Sequence, residues 1–298
     1  TSLMILLMQG GVNWAWTSGP VLALAAVSAI GLGLFLLQEK RAAEPMIPPA
    51  IWKHRLIVLC NAGSLTTGGI MIGVTTFLPT FVQGVMEQSP TTAGFVLAAM
   101  SIGWPLASTI SGRYLTRIGF RPTAIGGAFA LILGSILFVM LKPEHGPLWA
   151  GLASFIIGVG LGLSSNVYVV AVQSSVDWKT RGVATASNMF MRILGTTVGA
   201  AVLGSVLNGK LHQYLQSVRK PGQAALDIDL ANQLLEPAQR AQLPAEAVNT
   251  MQHGLTFALH SVYIGVLVLA AATFFLMVFF PKRQEFTREP AAQPAKPR

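Results

Sequence analysis

Charged residues are scarce in this sequence. Of its 298 residues only 10% are Asp, Glu, Lys or Arg, whereas 52% are hydrophobic, and the mean hydropathy is +0.59. A soluble globular chain carries roughly a quarter charged residues, so this chain cannot cover a folded surface with charge. The composition therefore predicts a membrane protein.

Cysteines and catalytic motifs are scarce or missing as well. Cys60 is the single cysteine, and it lies in an apolar run, which excludes an internal disulfide and a cysteine-based zinc site. The sequence contains no H-E-x-x-H, Walker or G-x-S-x-G pattern. The glycine-rich stretch 158–162 follows no strand, which excludes a nucleotide-binding loop. We therefore expect neither an enzyme nor a bound metal or cofactor.

Long apolar runs fill most of the chain. A bilayer core takes about 20 apolar residues in helical form, so the sequence predicts seven membrane spans, preceded by the end of another helix. The runs are continuous rather than alternating, which excludes membrane-spanning strands. The predicted spans are 20–37, 56–83, 91–112, 122–141, 147–171, 183–208 and 255–280.

Lys and Arg residues collect in alternate loops. In the short loops between these clusters, Lys142 is the only Lys or Arg. The net charge of +9 is therefore expected to face the cytoplasm and its anionic lipids rather than nucleic acid. This orientation places the C-terminus inside and the long loop 209–254 outside, where leucine spacing over 226–235 predicts a short surface helix. The basic clusters lie at 40–55, 113–121, 179–181 and 282–298.

The segment 112–122 carries the most specific motif in the chain. Its glycines and arginines match the signature inner loop of the major facilitator superfamily, which the segment resembles. Thr116 stands where that motif has an acid, and Phe120 replaces a basic residue. An ordinary positive-inside loop would explain the charges alone. The residues of the gating loop that the resemblance implies are Gly112, Arg113, Arg117, Gly119 and Arg121.

Further segments resemble the 14-helix drug:proton antiporters of the EmrB/QacA type. These segments lie at 10–16, 39–55, 77–94 and 181–199. The resemblance implies that 1–55 holds the end of one linker helix, one full linker span and a cytoplasmic linker. It implies that 56–281 is the C-terminal six-helix bundle, followed by a disordered cytoplasmic tail, 282–298. An N-terminal bundle with the proton-coupling acid would then be missing.

Polar and aromatic residues within the spans are candidates for lining a substrate cavity. Among Asp, Glu, Lys and Arg, the predicted spans contain one residue, Arg192. Such a charge usually faces protein or water, although snorkelling toward the inner surface is an alternative. For the amides and hydroxyls the alternative is hydrogen bonding between helices. The candidates are Asn61, Met71, Thr75, Phe77, Gln83, Trp104, Asn166, Tyr168, Asn188 and Arg192.

The expected function is that of the C-terminal part of a multidrug or toxic-compound efflux transporter. Such a protein would work by alternating access, in a bacterial inner membrane, with the proton gradient as its energy source. The expected partners are amphipathic or cationic small molecules, the lipid bilayer, the missing N-terminal bundle and a periplasmic adaptor. Two alternatives stay open: an exporter of a defined solute, such as a siderophore, amino acid or metabolite, and a non-transporting truncated scaffold.

Overall fold

The chain is built from long α-helices. A computed structural model describes residues 2, 5–6, 14, 17–41, 51–218, 240 and 244–281. Most of the turn 10–16, the linker 42–50, the proposed surface helix 226–235 and the tail 282–298 lie outside the described residues.

Six helices of the described chain, α2 to α7, are long and apolar enough to cross a membrane. This confirms the prediction of an all-α membrane fold. Helix α1 has a shorter apolar stretch, Gly19–Phe35. The helices are α1 Gly19–Arg41, α2 Arg55–Thr80, α3 Pro90–Ile118, α4 Phe120–Val139, α5 Gly146–Ser174, α6 Arg181–Val218 and α7 Ala245–Val278.

Three helices extend beyond their predicted apolar runs by six residues or more. Helix α6 continues to Val218 and α7 starts at Ala245, so the long loop shortens from both sides. The reason is packing beyond the apolar run: Leu211 and Leu215 are buried, and Gly254 of α7 lies against Leu211. Hydropathy marks only the part of a helix that lipid could surround, whereas these extensions bury side chains against each other.

The third extended helix changes the interpretation of the motif at 112–122. We expected an inner loop over this segment, but α3 runs through Gly112 to Ile118. Only Gly119 makes the turn, because its φ of 86° lies in the left-handed region that glycine adopts without strain. Helix α4 starts at the next residue, Phe120.

The bundle has two rows of helices. Helix α5 packs against α3 and α4, and α2 packs against α6 and α7. Helix α7 also contacts α4, which closes the back of the bundle, while α2 and α5 contact each other at its centre. The front row is therefore α3, α5, α2 and α6, with α4 and α7 behind. One buried apolar cluster joins the two rows. Within the back row, the rings of Phe138 of α4 and Tyr263 of α7 stack with their centroids 5.3 Å apart.

One end of the bundle, here called the basic end, carries the helix termini with most of the arginines. Two of these arginines bind the C-terminus of α7. Arg121 donates to the carbonyl oxygen of Val278 at 2.9 Å, and Arg55 donates to that of Phe279 at 3.4 Å. The last carbonyl groups of a helix lack partners within the helix and carry partial negative charge, so cations stabilise them. Both arginines thus fasten α7 to the starts of α4 and α2.

We expect Arg121→Gln to lower the unfolding free energy by about 1 kcal/mol, because a charge-assisted hydrogen bond to a helix terminus is lost. Thermal unfolding of the purified protein in detergent measures the change. Arg117→Gln is the matched control. It removes the same charge from the same end of the bundle, and Arg117 is exposed. Equal destabilisation by the two substitutions would contradict the capping role.

At the opposite end, Glu87 ties the turn after α2 to α7. Its φ of 58° is unusual for a residue other than glycine. The carboxylate accepts a hydrogen bond from Gln252 at 2.6 Å and pairs with Arg240 at 3.0 Å. The hydrogen bond from Gln252 fixes the C-terminal end of α2 relative to the first turns of α7.

Candidate functional site

Helix α2 lies between two other helices of the front row, α6 and α5. Helix α6 packs closely on α2, because Gly195 lies against the backbone of Leu65 and Gly199 against that of Gly69. Helix α5 packs on the other side of α2, where Gly63 contacts Tyr168. The side of α2 between these two neighbours, on which the half-buried Met71 and Thr75 lie, is here called the cleft.

Arg192 lies on the side of α6 that faces this cleft. Thr185, Met189, Arg192 and Thr196 recur at helical spacing and share one stripe of α6. The stripe turns toward α5, because Gln173 of α5 donates to the hydroxyl of Thr185 at 3.3 Å. All four residues are exposed or half-buried. Arg192 is thus half-buried rather than in the core, and it lies at the edge of the α6 surface that packs against α2.

The depth of Arg192 places it near the middle of a membrane. It follows Arg181 by eleven residues, which is about 16 Å along an α-helix. A hydrocarbon core is about 30 Å thick, so a residue at this depth is far from either surface if Arg181 lies at the basic end. The backbone of Arg192 also lies against Gly68, which is at a similar height in α2.

Met71 and Thr75 approach the same cleft from α2. They follow Gly68 at helical spacing and are half-buried. The Thr75 hydroxyl donates to the carbonyl oxygen of Met71 at 3.0 Å, which leaves its lone pairs available as acceptors. Met71 and Thr75 therefore lie on the turns of α2 that follow Gly68, against which the backbone of Arg192 lies.

Gln83 lies beyond an irregular segment of the same helix. Pro79 lies inside α2 and has no N–H group for a helical hydrogen bond, and a π-helical turn follows at Phe81–Val85. Gln83 is half-buried within that turn. Short π-helical segments are frequent at functional sites, and here the segment contains Gln83.

Asn61 and Asn188 form a buried polar cluster that has no exposure to the cleft. The Asn188 side chain donates to the amide oxygen of Asn61 at 3.1 Å, and Asn61 donates to the hydroxyl of Ser187 at 3.2 Å. Their exposed fractions are 0% for Asn61, 3% for Asn188 and 1% for Ser187. Their geometry matches the alternative of hydrogen bonds between helices.

The other candidates are engaged elsewhere in the bundle. Phe77 and Tyr168 belong to the buried core. Trp104 is half-buried and packs against the core, with its carbonyl oxygen next to Gly162 of α5. Asn166 donates to the carbonyl oxygen of Ser108 at 3.1 Å and to the hydroxyl of Ser111 at 2.5 Å. These residues hold α2, α3 and α5 together rather than forming one site with Arg192.

The residues of the expected gating loop lie at the basic end. Gly112, Arg113 and Arg117 are exposed on the last turns of α3, whereas Gly119 and Arg121 are half-buried. Arg121 is bound to the terminus of α7, as described above.

Sequence reasoning missed the polar partners that these side chains use. Ser187, Thr185 and Ser111 complete hydrogen bonds between helices, and Thr273 of α7 donates to Thr66 of α2 at 2.7 Å. It also missed Met189 and Thr196, which share the Arg192 stripe. Helical spacing from Arg192 could have identified those two, but the partners depend on which helices meet.

Comparison with known proteins identifies the family. The profile of the Major Facilitator Superfamily matches residues 2–200. The multidrug transporter protein MdtP of Bacillus subtilis is 31% identical over 94% of this chain and 56% of its own length. Multidrug resistance protein 3 of the same organism is 28% identical over 92% of this chain and 56% of its own length. A tetracycline resistance determinant of Streptomyces rimosus is 32% identical over 68% of this chain and 59% of its own length.

The fold has a counterpart among solved structures. A bacterial homologue of the human lysosomal transporter Spinster, in an inward-facing and occupied conformation, superposes with a TM-score of 0.55 at 15% identity, over 87% of this chain and 57% of that one. The chain thus spans little more than half the length of the relatives it matches. The family and these relatives are transporters, not enzymes, and its apolar helices make the chain an integral membrane protein. With a profile match that covers most of its length, the chain belongs to the Major Facilitator Superfamily.

Proposed function

We propose that this chain is the C-terminal part of a proton-coupled efflux transporter of the 14-helix drug:proton antiporter type. The observation that carries the proposal is the match to two Bacillus proteins named for multidrug transport or resistance. Both matches run over more than nine-tenths of this chain and slightly more than half of each relative. The remaining length of such a relative leaves room for a second bundle.

The cleft around Arg192 is half of the substrate cavity in this proposal. Met71, Met189 and Thr75 offer an apolar, polarisable surface with few fixed hydrogen-bonding groups, which suits amphipathic compounds of varied shape. Gln83 lies further along the same helix. The second bundle would supply the facing wall, and rocking of the two bundles would expose the cavity to each side in turn.

Proton coupling is assigned to the second bundle. Coupling requires a carboxylate or histidine within the membrane. The predicted spans contain no Asp or Glu, and their one histidine, His260, lies near the outer end of the last span. A positive charge on a substrate would likewise be neutralised by the second bundle, because the spans of this chain contain no carboxylate.

A periplasmic adaptor is a further proposed partner.

The proposed location is a bacterial inner membrane, with the basic end and the C-terminus in the cytoplasm. The exposed arginines at the end of α3 support this orientation, because Lys and Arg favour the cytoplasmic side. In this orientation Arg113 and Arg117 are placed to act in gating at the inner surface.

Efflux by the full-length gene product tests the proposal. In bacteria that lack their own drug pumps, its expression is expected to lower ethidium accumulation several-fold, and a protonophore is expected to abolish the difference. Export of a single solute class without ethidium efflux would favour the defined-solute exporter. Absence of any export from a correctly inserted protein would contradict transport and favour a scaffold.

A further inference from the structure

The charges of the bundle are unevenly distributed along its depth. In the described stretches 55–218 and 244–281, every Asp and Glu lies in a turn or at the start of a helix, at Glu87, Glu144, Asp177 and Glu246. Arg192 instead lies about 16 Å into α6. No carboxylate of these stretches lies at the depth of Arg192.

A cation at this depth needs a counter-charge or a hydrated surrounding. Water solvates a half-buried guanidinium only in part, and an intramembrane arginine is costly unless a partner or a hydrated cavity compensates it. The guanidinium is planar and binds carboxylate-type groups through two parallel hydrogen bonds. The neighbouring residues on the cleft side, Met71, Thr75, Met189 and Thr196, carry no charge. An anionic group that enters the cleft would therefore meet one cation and no carboxylate on this bundle.

We propose that Arg192 is an anion subsite, which binds the carboxylate, sulfonate or similar acidic oxygen group of an amphipathic substrate. The apolar part of that substrate packs on Met71 and Met189. This inference rests on the proposed function, because it takes the cleft to be half of a substrate cavity. It adds that this half selects for negative charge.

Two isosteric probes separate charge from shape. 1-Naphthylacetate carries a carboxylate, and 1-naphthylacetamide replaces it by an uncharged amide of the same size. Equilibrium dialysis against the full-length protein in nanodiscs of zwitterionic lipid gives both dissociation constants, with empty nanodiscs as the blank. The wild-type protein is expected to bind the acid at least about tenfold more tightly than the amide, since a charge-assisted pair contributes more than a neutral one.

Substitutions of Arg192 test the assignment. Arg192→Gln is expected to weaken binding of the acid about tenfold or more and to leave the amide unchanged. Arg192→Lys is expected to retain part of the preference, because it keeps the charge but loses the planar fork. Arg181→Gln is the charge-matched control, since Arg181 starts the same helix, is exposed and stacks on Trp178. It is expected to change neither constant.

Several outcomes would overturn the proposal. Equal binding of acid and amide by the wild-type protein, or no binding of the acid above the blank, would refute a preference for anions. Equal weakening of both probes by Arg192→Gln would show a structural role. Tighter binding of the acid by Arg192→Gln would show that a carboxylate of the other bundle already occupies Arg192.

The two proposals fail separately. Ethidium efflux that is absent from cells would refute the proposed function, while the dialysis preference could still be measured on the purified protein. Efflux that persists alongside equal binding of the two probes would refute only the anion subsite.

Discussion

Replacing Gly195 by leucine is expected to prevent normal packing of α6 on α2. A Cβ atom at Gly195 would overlap the carbonyl oxygen of Leu65, and one at Gly199 would lie 2.7 Å from the Cα of Gly69. The obstacle at both positions is backbone, which cannot rotate away as a side chain can. Overpacking usually costs about 1–3 kcal/mol, and we expect the upper end or more because whole helices must separate.

The loss is measurable as reduced yield of folded protein and as a lower midpoint of thermal unfolding in detergent. Gly204→Leu is the matched control in the same helix, because no atom of another segment lies within 4 Å of a Cβ built there. The control is expected to fold normally. Similar behaviour of the two variants would show that α6 does not approach α2 as closely as described.

Replacing Asn61 by leucine is expected to destabilise the bundle by about 1–2 kcal/mol, because Asn188 and Ser187 then lose their buried partner. The double variant Asn61→Leu/Asn188→Leu is expected to cost less than the sum of the single variants, since it removes both ends of one hydrogen bond. Unfolding of the purified single and double variants gives this coupling.

The same variants decide whether Asn61 contacts substrate. A structural amide leaves the relative efflux of different compounds unchanged, even where the amount of protein falls. A changed substrate profile with unchanged stability, or strictly additive stability effects, would contradict the role between helices.

The Asn61 cluster and the Arg192 stripe explain why the candidate residues separate into two groups. Both Asn188 and Arg192 are polar residues in one apolar run, four positions apart, and both were predicted to line the cavity. Both residues lie against α2, but the Asn188 side chain is buried there, whereas Arg192 is half-buried and lies with its backbone against Gly68. Met71 and Thr75 remain near Arg192, but Phe77 turns into the core.

The sequence by itself determined the class of fold and the family. Long apolar runs form membrane helices, because in lipid the backbone N–H and C=O groups must find their hydrogen bonds within each segment. The motif at 112–121 indicated the superfamily that the profile match confirms. The alternation of basic loops predicted an orientation, which stays a prediction.

Only the tertiary structure decided which polar residues join helices and which face the cleft. Hydropathy reports how apolar a segment is, but it does not say which side of a helix meets a neighbour. The close approaches at Gly195 and Gly199 set that contact, and with it the burial of Asn61 and the exposure of Arg192. Likewise, only the structure shows that α3 continues beyond its apolar residues to Ile118 and ends at the turn made by Gly119.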